Sequence, residues 1–261
     1  MRPDSSQTST TPTPRLAASA LAEAMTAARA ARLDRDPRAL IRWAHGLLGH
    51  QLMMTTSFQK SGMVILDMVR EVAPGLAVYF LDTGFHFTET LAFAERIRRQ
   101  WGVDVVLHRP QLFGPAFDAR HGRLYERDPD RCCRLNKVEP QRELLARHQG
   151  WIAGVRRDQT AARGGAGTLE LLEGDLIKIQ PLAHWTRRDV DDYLAAHAVP
   201  VHPLFAAGYA SIGCAPCTVP CSDPTDDRAG RWAGRGKTEC GLHTMFATAP
   251  VRHQEPHPAD S

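Results

Sequence analysis

No run of about 18 consecutive apolar residues occurs in the 261-residue chain, so no membrane-spanning helix is expected. Charge of one sign is not in excess: 32 Lys and Arg stand against 29 Asp and Glu, a formal net charge of +3. That balance argues against bulk binding to nucleic acid or to an anionic membrane, and leaves room for a local cationic pocket. Cysteine is scarce, with six in all, too few for a disulfide scaffold. Residues 1–15 are rich in Ser, Thr and Pro and lack the apolar centre of a secretory leader, so they read as a disordered tail on a cytoplasmic chain. No internal repeat is found, and no G-x-x-x-x-G-K-[ST] phosphate loop. What remains is ordinary for a globular protein, 43% hydrophobic and 23% charged, and long enough for one or two domains.

The apolar pattern alternates between two periods. Helical spacing is seen over residues 16–33, 37–48, 61–72, 88–100 and 136–148, and again after Thr186, which with Asp189 makes a near capping box for a helix reaching His197. Between them lie short apolar runs at 51–57, 76–81, 103–107, 150–153 and 176–179, which read as buried strands. Such alternation predicts an α/β fold: an open, mostly parallel sheet with helices on both faces. Beyond Pro200 the chain is rich in Pro and Gly. The expected organisation is one domain over 16–225 and a mobile C-terminal arm over 226–261.

Four groups of residues carry chemistry. The loop 55–62, Thr-Thr-Ser-Phe-Gln-Lys-Ser-Gly, joins a strand to a helix and offers hydroxyls and N–H groups to an anion, or is a plain turn. Asp82-Thr83-Gly84 ends the next strand at the same sheet edge. Cys132-Cys133 and Cys214-x-x-Cys217 form a thiol set that suits zinc, an iron–sulfur cluster, a disulfide or unrelated buried thiols, the disulfide being disfavoured in a cytosolic chain. Cys240, on a Gly-containing arm with Lys237 and His243 close in sequence, is either an activated nucleophile or an inert surface thiol. Lys137, Arg156, Arg157, Arg228 and Arg231 lie beside the cysteines or at a strand end, where Arg suits phosphate-like groups.

Taken in order, these segments resemble the assimilatory adenylyl-sulfate reductases, the cluster-containing branch of the adenylyl-sulfate and phosphoadenylyl-sulfate reductase family. The segments that carry the resemblance are 82–90 (Asp-Thr-Gly-Phe-His-Phe-Thr-Glu-Thr), Cys132-Cys133 with Lys137, 154–159 (Gly-Val-Arg-Arg-Asp-Gln), 208–218 around Cys214 and Cys217, 228–232 (Arg-Ala-Gly-Arg-Trp) and 239–243 (Glu-Cys-Gly-Leu-His). The resemblance runs from about Leu40 to His243. It implies a fold like that of the adenine nucleotide alpha hydrolases, related to ATP pyrophosphatases. It also implies one [4Fe-4S] cluster per subunit on Cys132, Cys133, Cys214 and Cys217.

By the same resemblance Cys240 is the nucleophile that attacks the sulfur of adenosine 5′-phosphosulfate. AMP is released and an S-sulfocysteine is left, which reduced thioredoxin discharges as sulfite, in assimilatory sulfate reduction and cysteine biosynthesis. Lys137, Arg228, Arg231 and His243 would face the phosphosulfate; Ser57, Thr83, Gly154, Arg156 and Arg157 would line the nucleotide pocket. No thioredoxin-like domain follows His243, so thioredoxin is expected as a separate protein. Cys221 has no assigned counterpart, and the oligomeric state is left open. Competing readings are a phosphoadenylyl-sulfate or dual-specificity reductase, for which Lys60 could meet a 3′-phosphate, and a zinc-stabilised binding module. A ligase or tRNA-modifying enzyme of the ATP-pyrophosphatase type would need a Ser-Gly-Gly-x-Asp-Ser loop, which is absent.

Overall fold

The computed structural model describes residues 14–221, 226 and 228–246. In chain order the elements are α1 (Ala18–Ala30), α2 (Pro37–Leu48), β1 (Leu52–Thr55), α3 (Lys60–Val72), β2 (Ala77–Leu81), α4 (Thr88–Trp101) and β3 (Val105–His108). Next come α5 (Pro115–His121), α6 (Leu124–Arg127), α7 (Pro129–Cys133), a π-helical turn (Arg134–Val138) and α8 (Glu139–Arg147). The chain continues through β4 (Gly150–Ile152), β5 (Leu169–Leu172), β6 (Leu176–Ile179) and α9 (Arg187–Ala196). The sheet has six strands in the order β3-β2-β1-β4-β6-β5. Every neighbouring pair is parallel except β5 with β6. No helix among the described residues is long and apolar enough to cross a membrane.

The period-2 alternation of the strands puts a core on each face. In β1, Leu52 and Met54 join the larger core with Leu40, Ile41, Val64 and Ile65 from α2 and α3. Met53 points the other way, to Trp151, Leu144 and Leu176. Burial on both faces explains why these strands read as continuous apolar runs.

The expected strands and helices all appear, with differences that have local causes. The short strand β5 follows the turn 164–167, whose three glycines hide it, and it is strand-like only because it pairs with β6 along Leu169–Ile179 to Leu172–Leu176. The helices α5 to α7 were missed because each is seven residues or shorter and set by local signals: Gly114 and Gly122 at positive φ, and Asp128, whose side chain accepts from the Arg131 N–H. The tail expected over 1–15 lies outside the described residues as far as residue 13. Arg15 itself is tied to the body, donating to the carbonyls of Ala146 (3.3 Å) and Gly174 (3.1 Å). Residues 228–246 of the expected arm lie against the domain, and 247–261 are outside the described residues.

Strand order runs outward from β1 through β2 to β3, then returns to place β4 on the other side of β1. This reversal opens a crevice at the carboxyl ends of β1 and β4, where ligands bind in open α/β sheets. Phe58 fixes the loop after β1. It sits at φ 56°, wholly buried, edge-on to Phe80 (5.3 Å between centroids) and Phe93 (6.3 Å). Thr56 Oγ1 accepts the Phe58 N–H at 3.1 Å, and Gly62 is required beside it, since a Cβ there would stand 2.8 Å from that hydroxyl. Phe58→Ala keeps the backbone strain and loses the anchor. It is expected to destabilise the fold by about 3–5 kcal/mol, read by urea denaturation; a loss under about 1 kcal/mol would show that the ring is not what holds this loop.

Candidate active site

The crevice is a cavity of about 330 Å³, walled by the loop after β1, the segment after β4 and the C-terminal arm. Cations crowd it: Lys60, Lys137, Arg156, Arg163, Arg187, Arg228 and Arg231 all line it, and Cys240 and His243 of the arm close one side. Of the residues expected to meet substrate, the structure brings Ser57, Gly154, Arg156, Lys137, Arg228, Arg231, His243 and Cys240 to this one cavity.

Two expected residues are elsewhere. Thr83 is buried away from the crevice, its hydroxyl 3.3 Å from Cys214 Sγ, because it belongs to the turn that packs on the cysteines. Arg157 is exposed and donates to the Ala166 carbonyl at 2.6 Å; it opens the 3-10 turn Arg157–Gln159, which carries its side chain to the surface while Arg156 stays buried. Arg156 donates to Ser61 Oγ (2.7 Å) and Asp158 Oδ1 (2.9 Å), joining the two walls.

The thiol of Cys240 is set by opposing forces. Burial disfavours its ionised form, but Lys137, the Leu242 N–H, Arg228 and Arg231 together outweigh this and hold its pKa below the ordinary thiol value. Lys237, expected from sequence to do this, instead contacts Asp130 and lies over Trp232. Burial works against the charge of Lys137 as well, yet Cys214, Cys133 and Cys240 raise its pKa, so the ammonium persists in the interior. Burial, with Arg231 and Arg163 close by, lowers Arg228 to about 10. Arg231 is 7% exposed, and its Nε and Arg228 Nη2 are buried without hydrogen-bond partners. The guanidinium of Arg231 lies against Gly213, where any Cβ would collide with it, and 4.5 Å from the Trp232 ring centroid. His243 stacks on Trp151 at 5.4 Å and 8°, and burial together with Arg163, Lys178 and Arg228 keeps its imidazole neutral, its pKa far below the ordinary value.

A second, narrow cavity of about 10 Å³ lies behind the first, lined by Cys132, Cys133, Cys214, Cys217, Asn136 and Lys137. Lys137 therefore borders both. No disulfide is formed by the described cysteines. Burial and the repulsion of Cys133, Cys214 and Cys217 push the Cys132 thiol up to about 12, and burial raises Cys133 and Cys217 too. No group of three or more His, Cys, Asp or Glu side chains among the described residues is arranged to hold a metal ion. The thiols share a pocket without meeting at a point.

Sequence reasoning gave no role to Arg163 and Glu239, which form an ion pair at 2.7 Å beside the crevice, or to Trp151, which carries His243 and donates to Thr55 Oγ1 at 2.8 Å. Arg163 follows no motif and lies in a short Ala- and Gly-rich stretch, so nothing in the chain signalled it.

A switch-point crevice crowded with cations and closed by a thiol defines an α/β protein shaped to hold a small anion against sulfur. The family described as "Phosphoadenosine phosphosulfate reductase domain" matches residues 51–220. "Adenosine 5′-phosphosulfate reductase 1" of Bacillus subtilis (strain 168) is 42% identical over 207 residues, 78% of this chain and 89% of its own. "Phosphoadenosine 5′-phosphosulfate reductase" of Gloeobacter violaceus is 39% identical over 215 residues, 80% of this chain and 89% of its own. A crystal structure of phosphoadenylyl-sulfate (PAPS) reductase from Candida auris, a phosphate complex, superposes with a TM-score of 0.63 at 31% identity, covering 70% of this chain and 90% of that one. The chain belongs to the phosphoadenosine phosphosulfate reductase family, as its motifs led one to expect.

Buried imidazoles give the fold a pH dependence of definite sign. Desolvation lowers His86 and His202 to about 4 each, and His243 is lowered as well. An unfolded imidazole takes up its proton near about pH 6.5. The unfolded chain thus binds protons that the folded one refuses, and stability present above pH 6.5 is lost as pH falls toward 4. The urea midpoint is expected to be lower at pH 5 than at pH 7.5; an equal or higher midpoint would contradict it.

Proposed function

We propose that this chain reduces adenosine 5′-phosphosulfate to sulfite and AMP, with Cys240 as nucleophile and a separate thioredoxin as reductant. The observation that carries this reading is the meeting of Cys240 with Lys137, Arg228 and Arg231 in one crevice. The relatives' names supply the substrate class. The phosphosulfate lies against Lys137 and Arg231, with the nucleoside reaching toward Ser57, Gly154 and Arg156. The Cys240 thiolate attacks the sulfo group, an S–S bond forms, and the bond from sulfur to the phosphate oxygen breaks. AMP leaves with that electron pair, its new charge met by the Arg228 and Arg231 donors that lack hydrogen-bond partners. Neutral His243 serves as a hydrogen-bonding group at the sulfo oxygens. A thioredoxin thiolate then attacks Cys240 Sγ and expels sulfite. Its second thiol resolves the mixed disulfide, leaving thioredoxin oxidised and Cys240 a thiol again.

The second cavity suits a [4Fe-4S] cluster by the chemistry of its donors: four thiols around one pocket, three of them buried and that of Cys217 half-buried, which repel one another as thiolates. Cys132, Cys133, Cys214 and Cys217 would hold it. Bound there, it would supply the iron that lets all four thiols ionise, and a fixed charge for Lys137 to face.

Phosphoadenylyl-sulfate is the second reading, favoured by the presence of Lys60 in the crevice. The ammonium of Lys60 is already engaged by Asp191 at 2.7 Å, which favours the substrate without a 3′-phosphate.

Two experiments test the proposal. Incubating the protein with adenosine 5′-phosphosulfate and no reductant is expected to leave a sulfonate adduct on Cys240 alone, seen by intact mass and peptide mapping, and reduced thioredoxin should release it as sulfite. Cys240→Ser should still bind AMP and form no adduct, because a serine hydroxyl is far less ionised than a thiol. An adduct on Cys221, or turnover in that variant, would overturn the mechanism. For the cluster, anaerobically purified protein should be brown, and Cys133→Ser should lose the colour, iron and sulfide together. Full iron and sulfide content in that variant would refute the ligand assignment.

A further inference from the structure

Glu239 directly precedes Cys240, and its carboxylate is the most heavily engaged group on the arm. It accepts from Arg163 twice, Nε to Oε1 and Nη2 to Oε2, both at 2.7 Å. The Thr160 hydroxyl donates to it at 3.3 Å, and Arg228 Nη2 stands 3.6 Å away. Both side chains of the pair are buried, 9% and 11% exposed. Arg163 is itself held to the domain: its Nη1 donates to Gln159 Oε1 at 2.6 Å, and that oxygen also accepts the Arg156 N–H at 3.0 Å. The other polar tie just beyond Cys240 is weak, Lys178 Nζ to the His243 carbonyl at 3.5 Å.

We infer that Arg163 and Glu239 form a latch that positions Cys240, holding the arm across the crevice while its carboxylate neutralises arginines that would otherwise attract any passing anion. The inference rests on the reading of Cys240 as the reacting thiol. A bidentate pair fixes direction as well as distance, so it aims the following residue. Removing one partner of a buried pair leaves the other charge uncompensated, which costs more than the pair itself contributes. The two halves of the latch therefore have distinct signatures. Both hold the arm, but they act on the crevice with opposite charge.

The test uses anaerobically purified full-length protein and two variants, Glu239→Gln and Arg163→Gln. The first readout is the rate at which uncharged iodoacetamide modifies Cys240, followed by peptide mapping above the ordinary thiol pKa of about 8.5 so that ionisation is not limiting. The rate is expected to rise at least about tenfold in both variants, as befits a lost charge-assisted contact. The second readout is binding of AMP and of inorganic phosphate. Glu239→Gln should bind both about three- to tenfold more tightly, and Arg163→Gln should bind them more weakly by a similar factor. General unfolding would weaken binding in both and cannot imitate opposite shifts. Glu239→Asp keeps the charge and shortens the reach, so modification should quicken with AMP affinity unchanged. Unaltered modification rates, or affinities that move the same way in Glu239→Gln and Arg163→Gln, would overturn the latch. Failure of the functional reading would show separately, as no adduct when unaltered protein meets adenosine 5′-phosphosulfate.

Discussion

A buried ammonium governs the architecture of this site. Lys137 is 8% exposed and remains charged, which an apolar interior does not tolerate without opposite charge close by. The groups that favour its charge are sulfurs on both sides, Cys133 and Cys214 behind and Cys240 in front, and of these Cys240 is the thiol held below its ordinary pKa. The two cavities are therefore one electrostatic system with a lysine as the shared wall. Arg228 and Arg231 add to the positive side, and Glu239 is the carboxylate that keeps the excess in check.

The fold that carries this system was legible in the chain because its signals are local. Apolar runs of four or five residues between helical stretches can be little else than parallel strands, and Thr186 with Asp189 marks the start of α9 as a full capping box. What was not legible lies in segments too short to show a period. Strand β5 exists through its pairing with β6, and the short helices α5 to α7 exist through packing of Phe117, Leu124 and Cys132 into a small core of their own.

The site divides along the same line. Cysteines, arginines and the terminal histidine announce themselves by type, so most of the expected residues reach the crevice. Thr83 and Arg157 were placed in the pocket by the family resemblance; in the structure Thr83 turns to Cys214, and Arg157 opens a 3-10 turn and donates to the Ala166 carbonyl. Lys237 was read as a neighbour of Cys240 by proximity in sequence, while the cation that governs the thiol comes from residue 137, on a different element. Arg163 and Glu239 meet across 76 residues, a separation at which sequence alone says nothing.

The π-helical turn Arg134–Val138 makes the winding of this segment part of the site. In a regular α-helix each residue advances about 100°, so positions five apart point in clearly different directions. The wider turn lets Cys132 and Lys137, five apart, line the same cavity, with the Asn136 amide 3.7 Å from Cys132 Sγ. Wound as a regular α-helix at its present length, the segment would swing the lysine off the thiols. The segment therefore depends on its winding more than on its count: here the pitch of the helix is itself part of the chemistry.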